Sequence, residues 1–308
     1  MTESGWQTAP ERQPAPKRTP VADLFDEAFG LYRRSFLTIL VVFGAFEIPF
    51  VLANLPLTIQ QARFTRAQWE SNSFWFGGGA WSDAVGGQLL SYLVLVLATA
   101  LLAMLLLTFA AASVTVVAGV ARTGRQPTAA EVFAAVGEAA ARLIGLVVIL
   151  AGGFVAISLV FVAAMLIVVA AFSANVGVTI GLILLIALGL FVLVIFLGTR
   201  LAVAIPALVL ERLDPMDAIR RSWSLVLGSS WRVLGIVYLA FLLVAVLGGF
   251  APMLLLPGLY QGLMTASVAS YVQLALVGGA VNLILGPILP TLVAVLYFDL
   301  ARGHSEAT

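Results

Sequence analysis

The sequence predicts an all-α polytopic membrane protein: six transmembrane helices, in three tandem units of a cytoplasmic amphipathic helix followed by a helical hairpin. Three observations predict it. Of the 308 residues, 62% are hydrophobic and 10% charged, with a mean hydropathy of +1.09, whereas a soluble domain carries about 25% charged residues. The charges are also segregated, since Ala84 to Ala121, Leu143 to Thr199 and Val233 to Phe298 carry none. Finally, one order of signals recurs along the chain: a helix-starting proline, an amphipathic stretch, basic residues and an apolar run.

A single crossing needs about 20 apolar residues to traverse roughly 30 Å of hydrocarbon. A first span is expected from Leu37 to Leu57 and a second from Leu89 to Gly119. The two later uncharged runs each cross twice, turning at Ser173-Ala174-Asn175 and at Pro257-Gly258 with the stretch to Gln273. Residues 1–19 read as a disordered cytoplasmic tail, 20–303 as the membrane domain with repeats 20–121, 122–212 and 213–303, and 304–308 as a short tail. The tail has Pro10, Pro14 and Pro16 and lacks the apolar core of a signal peptide.

Basic residues near span ends stay cytoplasmic. Of sixteen Lys and Arg, Arg63 and Arg66 follow the first span; the others fall in the N-terminal segment, after spans two and four, or at the C-terminal end. Both termini are therefore expected in the cytoplasm. The net charge of +1 and the absence of a basic soluble domain argue against a nucleic-acid partner.

The first unit opens at Thr19-Pro20, with Val21, Leu24, Phe25, Ala28, Phe29 and Tyr32 on one helix side and Arg33-Arg34 before the span. The second opens at Pro127 with a capping box, Thr128 and Glu131, followed by Val132, Phe133, Val136 and Leu143. In the third, Asp214 is placed to cap, Pro215 needs no amide partner, and Gly228 is a stop. Met216, Ile219, Trp223, Val226 and Leu227 then share a face. Counted from each proline, Phe36, Leu143 and Trp231 have the same offset. For Arg33, Arg34, Arg220, Arg221 and Arg232 two roles stand: orientation with attraction to anionic headgroups, or a phosphate pocket shared by the collar helices. Trp223 and Trp231 suit interfacial anchors.

Polar groups within the apolar runs are costly and so informative. Glu47 lies mid-span, two residues before Pro49, which frees the carbonyl of Ala45. Arg200 and Asn282 are placed to join it in a central polar cluster. Around Asn282 the last span is broken by Pro287 and Pro290, a feature of transporter sites. The same cluster reads equally as a buried lock for the bundle, or Glu47 as lining a shallow outer cavity. The outer loop Ile59 to Gln88 gathers Phe64, Trp69, Phe74, Trp75, Phe76 and Trp81 around Gly77-Gly78-Gly79, as a surface-lying lid or a binding lip.

There is no cysteine, and the only histidine is His304 in the tail. A disulfide framework, a histidine-ligated metal, a Ser-His-Asp triad and a phosphate-binding glycine loop are thereby excluded from the bundle. No catalytic residue, metal or cofactor is expected, and an enzyme would have to work through Glu47 alone.

The stretch LERLDPMDAIRRSWSLVLGSSWR resembles the signature of the bacterial integral membrane family named for the glycerophosphoryl diester phosphodiesterase membrane domain. The residues carrying it are Glu211, Pro215, Ala218, Arg221-Ser222-Trp223, Leu225, Gly228 and Trp231-Arg232, with LYFDLARG at Tyr297, Phe298, Asp299, Leu300 and Arg302 similar to the family's ending. The resemblance implies a membrane unit in a bacterial inner membrane without the phosphodiesterase barrel, whose histidines are missing, so that activity is not expected. The functional expectation is a non-enzymatic protein that binds, senses or moves a lipid or amphiphile. The alternatives are a scaffold docking a protein partner through the collar, and a small-molecule permease using Glu47.

Overall fold

The computed structural model describes residues 19–70, 83–172 and 175–305. Among these the elements are α1 (Val21–Arg34), α2 (Phe36–Glu70), α3 (Asp83–Ala121), α4 (Ala129–Phe172), α5 (Val176–Leu201), α6 (Ala204–Leu210), α7 (Pro215–Val226), α8 (Ser230–Leu255), α9 (Leu259–Met264), α10 (Val268–Leu285) and α11 (Ile288–Ser305), with no strand. Six stretches are long and apolar enough to cross a membrane: α2, α3, α4, α5 with α6, α8, and α10 with α11. The chain is a multi-pass, all-α membrane protein.

Helix starts and stops follow local chemistry. The Thr128–Glu131 capping box forms in both directions, each bond at 3.3 Å. Gly228 ends the α7 region at φ +81°, a left-handed conformation that a Cβ disfavours. Asp214 sits at the N-cap of α7, yet its side chain makes no capping bond. Between α10 and α11 the chain breaks at Gly286-Pro287, where Pro287 has no amide to donate. Pro290 falls in the first turn of α11, where its missing amide costs little. By contrast, α2 continues through Pro49 and Pro56.

Two expectations change. The second surface helix is not separate: nothing between Ala129 and Phe172 breaks the helix, so the amphipathic start and the span form one element of 44 residues. The first and third units do break, at Ser35 and at Gly228. The outer connection is also shorter than Ile59 to Gln88, because α2 runs to Glu70 and α3 starts at Asp83. Phe64 stacks on Tyr92 with centroids 5.3 Å apart, joining the two helices there. Phe74, Trp75, Phe76, Trp81 and the three glycines fall outside the described residues, as do Ser173 and Ala174 of the turn before Asn175. Pro257-Gly258 does turn the chain, and the short α9 follows it.

The two clusters of buried apolar side chains lie at the end carrying α1, the start of α4 and α7, here called the collar end. Leu31, Ile39, Val42, Val114, Val132, Leu143, Leu146, Leu208 and Ala218 form one apolar cluster there, and Leu24, Ala28, Leu225, Val233, Ile236, Leu292 and Leu296 a second. Within the bundle, α2 and α10 approach through glycines. A methyl group on Gly279 would lie 2.5 Å from Val51, and one on Gly286 2.9 Å from Phe43. Such contacts stand in for the hydrophobic drive that lipid removes.

Candidate functional site

The intramembrane polar cluster is smaller than the sequence suggests. Asn282 donates to Glu47 at 2.8 Å, tying the break region of α10 to α2. Glu47 is only 2% exposed, and its second carboxyl oxygen has no partner. Asn282 also borders an apolar crevice of about 390 Å³, shared with Phe43, Thr115, Phe241 and Gly286. At the break itself, Tyr32 of α1 donates to the carbonyl of Ile284 at 2.6 Å, satisfying an acceptor of the last turn of α10.

Arg200 does not belong to that cluster. It lies at the end of α5, its guanidinium 5.2 Å from the ring of Trp223 and 5.4 Å from that of Phe196. Its carbonyl accepts from Ser222 at 2.8 Å, locking α7 onto α5. The physical reason is azimuth: α5 is apolar all round, so its sequence does not say which side faces the bundle. Nε and Nη1 of Arg200 are buried and have no hydrogen-bond partner.

Around Arg200 opens a groove of about 750 Å³ between α5 and the start of α8. One side is apolar, with Val192, Ile195, Phe196 and Leu234. The collar end of the groove is polar, with Thr199, Arg200, Ser229, Ser230 and Arg232. Trp231 also lines it and is 86% exposed. The amides in the first turn of α8 are oriented as at any helix start.

The remaining collar residues divide by what they touch. Arg232 pairs with Asp299 at 2.7 Å and donates to the carbonyl of Thr19 at 2.5 Å, while the Thr19 hydroxyl donates to Asp299. Arg221 pairs with Glu211 at 3.0 Å, and Tyr297 donates to the same carboxylate. Arg221 and Arg232 are thus engaged within the protein. Arg220 pairs with Asp217 on the exposed face of α7. Arg33 and Arg34 are exposed and form no ion pair with a described residue. Trp223, which is 38% exposed, packs edge-on against Phe196.

The charged stretch around α7 and the end of α11 therefore meet: Tyr297 binds Glu211, and Asp299 binds Arg232. Charged residues close to lipid are stable when paired in this way. The groove around Arg200, by contrast, was not legible in the sequence. Its only signal was an arginine next to an apolar run. Among the described residues no three His, Cys, Asp or Glu side chains converge as metal ligands do. Comparison with family models, with characterised proteins and with solved structures finds no match.

Proposed function

We propose that this chain is a non-enzymatic membrane protein that binds a lipid or other amphiphile in the groove between α5 and α8, with its collar end in the cytoplasm. One observation carries the reading: Arg200, whose Nε and Nη1 are buried without a hydrogen-bond partner, lines the polar end of a groove whose other side is apolar. An unpaired donor on a charged group is expensive in a low-dielectric setting, and an anionic headgroup would supply the acceptor. Val192, Ile195, Phe196 and Leu234 would take the apolar part of the same molecule. Flanking Trp223 and Trp231 suit the interfacial depth at which headgroup and chain meet.

Kinship with the phosphodiesterase membrane-domain family and a bacterial inner membrane as the location belong to the same proposal. The two stretches on which that resemblance rests touch each other, Glu211 with Tyr297 and Arg232 with Asp299.

Native mass spectrometry of the gently extracted protein tests the function. The wild type should retain a defined lipid or amphiphile, and Arg200→Gln should lose about 90% of it, tenfold being roughly 1.4 kcal/mol of binding. Arg220→Ala, at an exposed residue paired with Asp217 and absent from the groove lining, should leave it bound. The same bulk lipid in all three proteins would sink the proposal. A second reading, a scaffold or accessory subunit, draws on the bare surface of the α4–α5 hairpin, whose most apolar windows are 6% and 0% buried. A stable protein partner lost on substituting that face would favour it. Proton-coupled flux abolished by Glu47→Gln would favour a permease instead.

A further inference from the structure

Beside α1, at the collar end, lies a third cavity, of about 530 Å³, with a different chemistry. Four arginines line it, Arg34, Arg122, Arg125 and Arg302, against two carboxylates, Asp26 and Glu27. They come from the α1–α2 junction, the α3–α4 connection and α11, segments remote in sequence. The arginines are held differently. Arg122 is fixed by Glu27 at 2.5 Å and lies 4.3 Å above the Phe298 ring. Arg125 is anchored by Glu131, outside the cavity, and its side chain stays 60% exposed. Arg34 has no ion pair with a described residue, while its carbonyl accepts from Gln126, another lining residue, at 3.0 Å.

The wall includes one further anomaly. Ser35 is 3% exposed, and its hydroxyl is buried without a hydrogen-bond partner. Buried hydroxyls normally find one, and an i−4 carbonyl is within reach for most helical serines. Here the residue lines a cup with an excess of positive charge.

We infer that this cup binds a small water-soluble anion carrying phosphate groups. Guanidinium groups from separate segments, with a partnerless serine hydroxyl in the same wall, match tetrahedral oxygens that accept in several directions. Even with Glu131 counted beside Asp26 and Glu27, the four arginines leave an excess of one positive charge, which favours an anion such as phosphate. The occupant needs no acyl chain, because the apolar track of the α5–α8 groove is absent: among the described residues of the lining, Leu31 and Ala121 are the only aliphatic ones. Occupancy would clamp α1, the α3–α4 connection and α11 together. Tyr32, two residues before Arg34, carries that clamp to the α10–α11 break through Ile284. The inference is independent of the amphiphile reading and uses none of its residues.

Isothermal titration of the protein in phosphatidylcholine nanodiscs, with inorganic pyrophosphate as the probe and ionic strength held constant, is the test. Binding is expected with a Kd near or below about 1 mM, and Arg34→Gln and Ser35→Ala should weaken it by roughly tenfold and threefold respectively. Arg220→Gln, outside the cup, should change it by less than about twofold. Unchanged thermal melts of the variants keep folding defects apart from binding defects. No binding up to about 10 mM, or equal weakening by Arg220→Gln, would overturn the site. Loss of pyrophosphate binding in discs containing an anionic phospholipid would assign the cup to a lipid headgroup and overturn the soluble ligand.

Discussion

The seam between α2 and α10 and the hairpin of α4 and α5 are built from similarly apolar sequence, yet they do opposite things. At the seam, glycines bring backbones together and Glu47 is bound to Asn282. In the hairpin, Leu159, Val160, Leu166, Leu184 and Leu185 are more than 60% exposed. None of the most apolar window of α5 is buried, against 39% of that of α10 with α11. Apolarity puts a helix into the membrane; small residues and polar pins decide which side faces protein.

The largest effect should come from removing a charge on the packed side. Arg232→Ala leaves Asp299, whose side chain is 11% exposed, with Thr19 as its remaining partner among the described residues. A loss of about 3–5 kcal/mol is expected, seen as a lower melting temperature in detergent. The double variant with Asp299→Ala should recover much of it, and a neutral single variant would break the comparison. A matched pair of glycines sharpens it. Gly279→Ala, facing Val51, should cost about 1–3 kcal/mol, whereas Gly189→Ala in α5, where a Cβ meets nothing within 4 Å, should be neutral or slightly stabilising. Equal losses at both positions would mean that the hairpin is packed against something. The smallest effect belongs to the bare face: Leu159→Ala with Leu184→Ala should stay within about 0.5 kcal/mol in lipid, because lipid fills the space left.

Much of the fold could be read from residues alone, and the reasons are local. Uncharged runs fix the spans, Thr128 with Glu131 fixes a helix start, and Pro287 fixes a break. The fusion of the second surface helix into α4 was missed because an offset from a proline marks where a helix begins, not where it ends. At the candidate site, Asn282 with Glu47 was legible, since two polar groups in oil seek each other. Arg200 was misplaced for the same reason: the sequence supplies one more polar group in oil, and no periodicity says which way it faces. The pairing of Arg221 and Arg232 within the protein was hidden too, because their carboxylates lie 10 and 67 residues away.

The bond from Thr19 to Asp299 spans 280 positions of sequence. A ribosome adding about 5–20 residues per second makes the acceptor roughly 15–60 s after the donor. During that interval the start of α1 has neither Asp299 nor Arg232, and its apolar face has no α11 to lie on. The first helix made is thus among the last to be secured, which makes this end of the molecule the one most exposed to proteases and chaperones during biogenesis. A chain truncated before α11 should insert its early spans and still be cleared from the cell.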